Sequence, residues 1–336
     1  MPGGVDVRFH RLKKGTDMLK KLLAALWLAT MAVASAQAQD YPGKTIRIIA
    51  PFAPGGSVDI VARILAQKMS EAWGHSVIVE NKAGASGMIG VETVVKSPPD
   101  GYTLLVNSSI HVIVPSLYSK ITYNAIDDLV AVGQATEVPM VMLTGSGNKA
   151  KTVPDVIEWA KAQPGLAYAS AGSGSSAHLA GEVFKKAAGV DLTHIPYKGS
   201  GAAMADVIGG QVPLMFDALT AAMGHVQGGR MRALAVSSLE RSPILPDVPT
   251  FQELKMPQMN LSTWHGMWAP RGTPPEIVKK LNAEIARIVA LPDVREKIRG
   301  LGGIPVGNTP AQFDAYQRAE LEKWSRIVRE SGAKAD

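Results

Sequence analysis

The sequence predicts an α/β fold of two similar units, each with its own sheet. Three observations carry that prediction. After Asp40, short β-branched runs alternate with amphipathic helical stretches, the order of an α/β protein. The plan also repeats: Pro42-Gly43, Gly55-Gly56-Ser57 and Gly84–Gly87 recur as Pro164-Gly165, Gly174-Ser175-Ser176 and Gly199–Gly201, at offsets of 122, 119 and about 115 residues. The length of 336 residues suits two domains, since single cores seldom grow past about 250–300 residues.

In the first unit, Thr45–Ala50 is a β-branched strand that runs into the loop PFAPGGS. Val58–Trp73 has helical periodicity and stops at Gly74, with Ser57 as the expected N-cap. Ser76–Glu80 is a second strand, followed by NKAGASG and a helix near Met88–Lys96. Ser97–Gly101 reads as a turn, Tyr102–Val106 as a third strand, and Val138–Gly145 as another. In the second unit, Leu166–Ala171 runs into GSGSS and a helix that stops at Gly189. Asp191–Tyr197 leads into KGSGAA and a further helix, and Gln211–Leu219 and Met231–Ser238 are strand-like. Three helices close the chain. They begin at Thr273-Pro274-Pro275, with Thr273 as N-cap and Pro at the first helical position, near Pro292, and at Thr309-Pro310, where Gln312 completes a capping box. Ile277, Leu281, Ile285 and Ile288 share one helical face and are expected in the core.

Composition removes several function classes. Hydrophobic residues make up 46% and charged residues 19%, enough apolar content to exclude intrinsic disorder. With no Cys, disulfides, thiolate metal sites and Cys nucleophiles are impossible. The net charge of +6 belongs mostly to the first 38 residues, which hold six Lys or Arg and two Asp, so the remainder carries about +2 and nothing argues for nucleic acid. Those residues read as a signal peptide. Met18, a plausible start, opens Met-Leu-Lys-Lys, the apolar run Leu22–Ala34 follows, and small residues end at Ala38. The run is short of the roughly 20 residues that a span requires. The expectation is a protein exported to the periplasm by a cleaved leader and not anchored in the membrane.

The Gly/Ser loops are the candidate site. In open α/β sheets the crevice at the carboxyl ends of the strands takes the ligand. Helix starts there offer unpaired N–H groups and partial positive charge, which suits carboxylate or phosphate oxygens. The candidates are Phe52, Ala53, Gly55, Gly56 and Ser57; Gly84, Ala85, Ser86 and Gly87; Asn107, Ser108 and Ser109; and Gly172, Ser173, Gly174, Ser175 and Ser176. Each loop can equally be ordinary capping or turn chemistry. Asp59, in the first turn after PFAPGGS, already offsets the helix dipole and weakens the anion argument there. His178 follows GSGSS by one turn; Asp217 either faces the crevice or caps a loop; Tyr197 and Phe52 supply apolar walls or pack in the core. The only nearby cations are Lys82 and Lys198, so an anion would be held by main-chain amides and hydroxyls.

Catalytic and metal signatures are absent. There is no G-x-S-x-G, no P-loop and no H-E-x-x-H, and His75, His111, His178, His194, His225 and His265 are scattered without metal spacing. GSGSSA matches a dinucleotide-loop pattern, but a diffusible nicotinamide does not suit an exported protein. The expectation is no catalytic residue, no metal and no cofactor.

YPGKTIRIIAPFAPGGSVDIVARILAQKM, VIVENKAGASGMIG, DGYTLL, YASAGSGSSAHLAGEVFKKAAG, HIPYKGSGAA and MFDAL together resemble the Bug-type solute receptors of tripartite tricarboxylate transporters. The resemblance covers nearly all of the chain after the leader, in the family's order. It implies a type II periplasmic-binding-protein fold: two α/β domains joined by two crossing segments, with a ligand cleft between them. The domains would be 39–140 with 263–336, and 141–262; Val138–Gly145 and Trp264–Pro270 would form the hinge, and the C-terminal helices would pack on the first domain. The implied ligand is a small carboxylate (a dicarboxylate, amino acid or aromatic acid), gripped between Phe52–Ser57, Gly84–Gly87 and Ser173–Ser176, with Asn107–Ser109, Tyr197 and Asp217 shaping the far end. The implied partners are membrane transporter subunits, met by a monomer. The competing readings are a sensor module for a signalling receptor and an exported enzyme acting on a small acid.

Overall fold

The structure is a computed structural model and describes residues 41–333; the expected leader at 1–38 lies outside the described residues. The first sheet forms from β1 (Ile46–Ala50), β2 (Val77–Asn81) and β3 (Thr103–Ser108), with β2 and β3 both parallel to β1. Helices α1 (Ser57–Trp73), α2 (Met88–Val95) and α3 (Ile110–Leu117) follow these strands. Ile46, Ile48, Ile49, Leu104, Leu105 and Val106 have no exposed surface, as expected of parallel strands covered on both faces.

The second half repeats this arrangement. Strand β5 (Leu166–Ser170) lies between β6 (Leu192–Pro196) and β7 (Leu214–Ala218), parallel to both, and α5 (Ser176–Ala188), α6 (Ser200–Ile208) and α7 (Leu219–Gln227) follow the strands. The internal repeat read in the sequence is therefore a repeat of sheet order, β2-β1-β3 and β6-β5-β7. Helix α4 (Val153–Ala162) enters the second half through a Thr152–Asp155 capping box.

Strand β4 (Leu129–Gly145) runs through both sheets. Leu129–Pro139 pairs antiparallel with β9 (Ser262–Pro270), which also pairs with β3, and Met140–Gly145 pairs with β7 and with β8 (Met231–Val236). The chain thus crosses at Pro139–Met140, inside the expected Val138–Gly145. Trp264–Pro270 lies wholly within the first sheet. The return crossing falls between Val236 and Ser262 instead. Ser237 ties the two crossings together. Its Oγ accepts from Met140 N at 2.7 Å and donates to the Leu261 carbonyl, and its N donates to Met140 O at 2.9 Å.

The C-terminal helices are α8 (Pro275–Ala290), α9 (Pro292–Gly300) and α10 (Pro310–Ser331). Helix α8 caps at Pro274, with Pro275 at its first position; the Thr273 hydroxyl donates back to Pro270 O instead of capping. Leu281, Ile285 and Ile288 are fully buried, and Ile277 is only half-buried because Val278 takes the inward position. Helix α8 lies on β4 and α1, whereas α10 touches α3 and β4 in the first half and α5 in the second. Its inner face binds β9 through indoles: Trp264 and Trp324 Nε1 both donate to Glu320 Oε2, at 3.0 and 2.8 Å, and Trp268 Nε1 donates to Gln317 Oε1 at 2.9 Å. Phe313 fits against β9 only because Gly266 has no Cβ.

Glu320→Ala leaves two buried indole donors without their acceptor. The expected loss is about 2–4 kcal/mol of unfolding free energy, measured by urea denaturation; a variant as stable as the parent contradicts the indole anchoring.

Candidate functional site

A cavity of about 40 Å³ lies between the helix starts of the two sheets, enough for roughly two or three water molecules. Its wall takes Phe52, Gly56, Ser57, Val58, Ser108, Ile110 and Thr263 from the first half. Ala171, Ser175, Ser176, Ala177, Gly199, Ser200, Asp217 and Ala218 come from the second.

The β1–α1 loop is held from behind. Asp59, buried, accepts from Gly55 N and Arg63 Nε at 3.0 Å each and from Asn81 Nδ2 at 2.9 Å, and the same amide of Asn81 donates to Phe52 O. Burial alone would raise the Asp59 carboxyl, but the hydrogen bonds from Arg63, Gly55 and Asn81 win and hold it below the ordinary carboxylate range. Its charge is therefore paired with Arg63, and the dipole of α1 is less offset than the sequence suggested. Gly56, not Ser57, is the N-cap of α1, and Gly56 caps without a side chain. This leaves the Ser57 and Val58 amides as first-turn donors at the cavity wall with no partner among the described residues.

The Ser57 hydroxyl meets His265 Nε2 at 3.0 Å, and Nδ1 of that ring meets Thr136 Oγ1 at 2.9 Å. This is a Ser–His contact whose third member is a hydroxyl and not a carboxylate. Burial pushes His265 down to about 3, so it is neutral near pH 7 and too weak a base to activate Ser57. His265 instead fixes the Ser57 side chain.

The GSGSS loop spends part of its own amides. Gly172 N donates to Ser170 Oγ, Gly174 N to His178 Nδ1 and Ser175 N to Gly172 O, while Ser175 Oγ caps α5 by accepting from His178 N. Ser176 and Ala177 remain as first-turn amides without a partner among the described residues, and both line the cavity. Gly172, Ser173, Gly174 and His178 therefore shape the loop from outside the wall, with the His178 ring stacked on His194 at 3.9 Å.

The other expected residues divide in the same way. Ser108, at the end of β3, lines the cavity. Asn107 Oδ1 accepts from Ser108 N at 2.8 Å, and Ser109 turns to Thr263 Oγ1 at 2.8 Å, so both support the wall without forming it. Gly84, Ala85, Ser86 and Gly87 do not reach the cavity. Ser86 meets the Tyr118 hydroxyl at 2.7 Å, and a Cβ at Gly87 would lie 3.2 Å from the Phe52 ring, so this turn backs Phe52. Tyr197 points to Asp206, donating to Oδ2 at 2.6 Å. Ala53 and Gly55 lie just outside the wall, and Ala53 N donates to Lys198 O at 3.3 Å, joining the first half to the second. Gly199 and Gly201 come as close: a Cβ on either would lie 3.3 Å from Ala53 or 3.2 Å from Pro54 O. Sequence reasoning missed Gly199 and Ser200 as wall residues, although KGSGAA had been read as a strand-to-helix loop. Thr263 carried no signal, because β9 joins β3 only through long-range pairing.

Burial pushes the Asp217 carboxyl up to about 6, with the Ser200 hydroxyl and the Ala218 amide pulling it back. Among the described residues, no Lys, Arg or His lines the cavity, and no group of three His, Asp or Glu could hold a metal. No helix of the described residues is long and apolar enough to cross a membrane. The wall can hold an anion by amides and hydroxyls and can receive one hydrogen-bond donor at Asp217.

Residues 61–333 match the family described as the tripartite tricarboxylate transporter family receptor. The structure superposes on that of periplasmic binding protein BugD with a TM-score of 0.84 at 35% identity, covering 88% of this chain and 100% of the other. It also matches R. palustris Rpa4515 with adipate, at TM-score 0.85, 32% identity and 88% and 99% coverage. MatC from Rhodopseudomonas palustris with bound malate matches at TM-score 0.81, 30% identity and 86% and 100% coverage.

His265 and His111, whose ring lies 4.6 Å from that of Trp268, are both buried and neutral, at about 3 and about 4 against 6.5 when unfolded. The unfolded chain binds protons that the fold refuses. Stability present above about pH 6.5 is therefore lost as pH falls, by about 2 kcal/mol for each ring at pH 5. Urea unfolding at pH 7 and pH 5 measures it; an unchanged free energy contradicts it.

Proposed function

Because this chain belongs to the tripartite tricarboxylate transporter receptor family, and within it is of the Bug type, we propose that it captures a small organic carboxylate and delivers it to a membrane transporter. The observation that carries the reading is the convergence of helix starts from both halves on one cavity that no cation lines among the described residues. The Ser57 and Val58 amides on one side and the Ser176, Ala177 and Ser200 amides on the other would share the carboxylate, aided by the hydroxyls of Ser57, Ser175 and Ser176. The adipate and malate held by two structural relatives support a carboxylate as the ligand. A ligand of about 10 non-hydrogen atoms exceeds the cavity as it stands, so it would bind with the lobes less tightly closed; at roughly 0.7–1 kcal/mol per atom it would bind in the micromolar to sub-micromolar range.

The lobes of this reading are 39–140 with 263–336, and 141–262. They would part by bending at Pro139–Met140 and between Ser237 and Leu261, and close when a ligand bridges them. The Ala53–Lys198 hydrogen bond and the glycine approaches at Gly199 and Gly201 would form last. In this reading the leader expected at 1–38 directs the receptor to the periplasm, where it acts as a monomer. We assign no reaction to the site, since its one Ser–His contact has a base that stays neutral far below pH 7.

Ser176→Asp tests the carboxylate reading. Asp is well tolerated in a helix first turn, but here its charge would occupy the ligand's place. Affinity for the tightest carboxylate found in a thermal-shift screen should fall roughly a hundredfold or more, by calorimetry, while the melting temperature holds; unchanged affinity contradicts the site. The same affinity should change less than about tenfold between 20 mM and 500 mM salt, because amides and not Lys or Arg make the contacts; a larger loss would point to a cationic clamp.

A further inference from the structure

We propose that Asp217 selects the ligand, and that the ligand carries, beside its carboxylate, a hydrogen-bond donor seated against Asp217 Oδ2: a hydroxy or amino acid and not a plain acid. This rests on the carboxylate reading of the same cavity and narrows it.

Asp217 stands at the end of β7 with 3% of its surface exposed, and it lines the cavity. Its Oδ1 accepts from the Ala218 amide at 2.7 Å. Its Oδ2 is buried and has no hydrogen-bond partner among the described residues. The other buried carboxylates are served differently. Asp59 receives bonds on both oxygens, Glu284 is bound at both by Arg287, and Glu320 takes two indoles on one oxygen and Lys323 on the other. A buried carboxylate oxygen without a donor is costly, and a site with such an atom is completed by a ligand that supplies one.

The surroundings decide what that ligand group is. Among the described residues no other ionisable side chain lines the cavity, and Val141 is the residue beside Asp217 on β4. The Ser200 hydroxyl at the neighbouring α6 start is near enough to lower the carboxyl but makes no hydrogen bond to Oδ2, so that oxygen stays open to a ligand donor. With its ordinary value displaced only to about 6, Asp217 is mostly charged at neutral pH. A second carboxylate against it would be repelled, whereas a hydroxyl or an ammonium is held. The ligand's own carboxylate then falls to the helix starts, away from Asp217.

Calorimetry at pH 7.5 with matched acids tests this in the full-length protein after leader removal: succinate against malate and aspartate, propionate against lactate and alanine, and benzoate against 4-hydroxybenzoate. The donor-bearing member of the binding set should bind at least about tenfold more tightly, and that preference should vanish in Asp217→Leu. In the parent protein, its affinity should weaken as pH falls below about 6, because protonation removes the acceptor charge. Equal binding of the matched acids overturns the proposal and leaves carboxylate capture standing. A donor-free acid that binds best, with affinity rising as pH falls, also overturns it by giving the proton to Asp217 itself. Absence of binding by every acid overturns both readings.

Discussion

The first turn of a helix leaves main-chain N–H groups that its own helix cannot satisfy, and the cavity depends on where the sheets send those turns. In each half, parallel strands end on one side, so each following helix starts on that side. Because β4 belongs to both sheets, the two sets of helix starts face one another. The result is a pocket of donors with no cation in its wall among the described residues. Those helix starts are positive in potential, and the one ionisable side chain lining the wall among the described residues is Asp217.

Much of this was legible in the sequence, for identifiable reasons. The Gly/Ser loops, the αL caps at Gly74 and Gly189 and the Thr309–Gln312 capping box are local signals, and the structure uses each of them. The repeat was legible because both units need the same loop chemistry at the same strand ends. Helix α3 was missed because its β-branched residues and Pro115 resemble a strand and a break, and it is tertiary packing under α10 that makes it helical. The length of β4 was missed because Leu129–Val138 takes its identity as a strand from long-range pairing with β9.

Within the candidate site, sequence alone could place a loop at the crevice but not say which amides it keeps. Gly174 is the clearest case. Its residue type suits close approach to an anion, yet His178, one turn on, takes its N–H. Ser176, a candidate from the sequence, and Ala177, which carried no signal there, both line the cavity, and no bond from their amides occurs among the described residues. The same holds for Ser57, whose hydroxyl is aimed by His265 from a strand 208 residues away. Which groups are consumed internally is a matter of three-dimensional partners, and periodicity carries no record of it.

The central claim is that main-chain amides from both halves hold one carboxylate. A crystal structure of the complex with the tightest-binding carboxylate measures it most directly. The account predicts carboxylate oxygens about 3 Å from the main-chain nitrogen of Ser57 or Val58 and, at once, from that of Ser176 or Ala177. A ligand held by Lys or Arg side chains, or by one half alone, would contradict it.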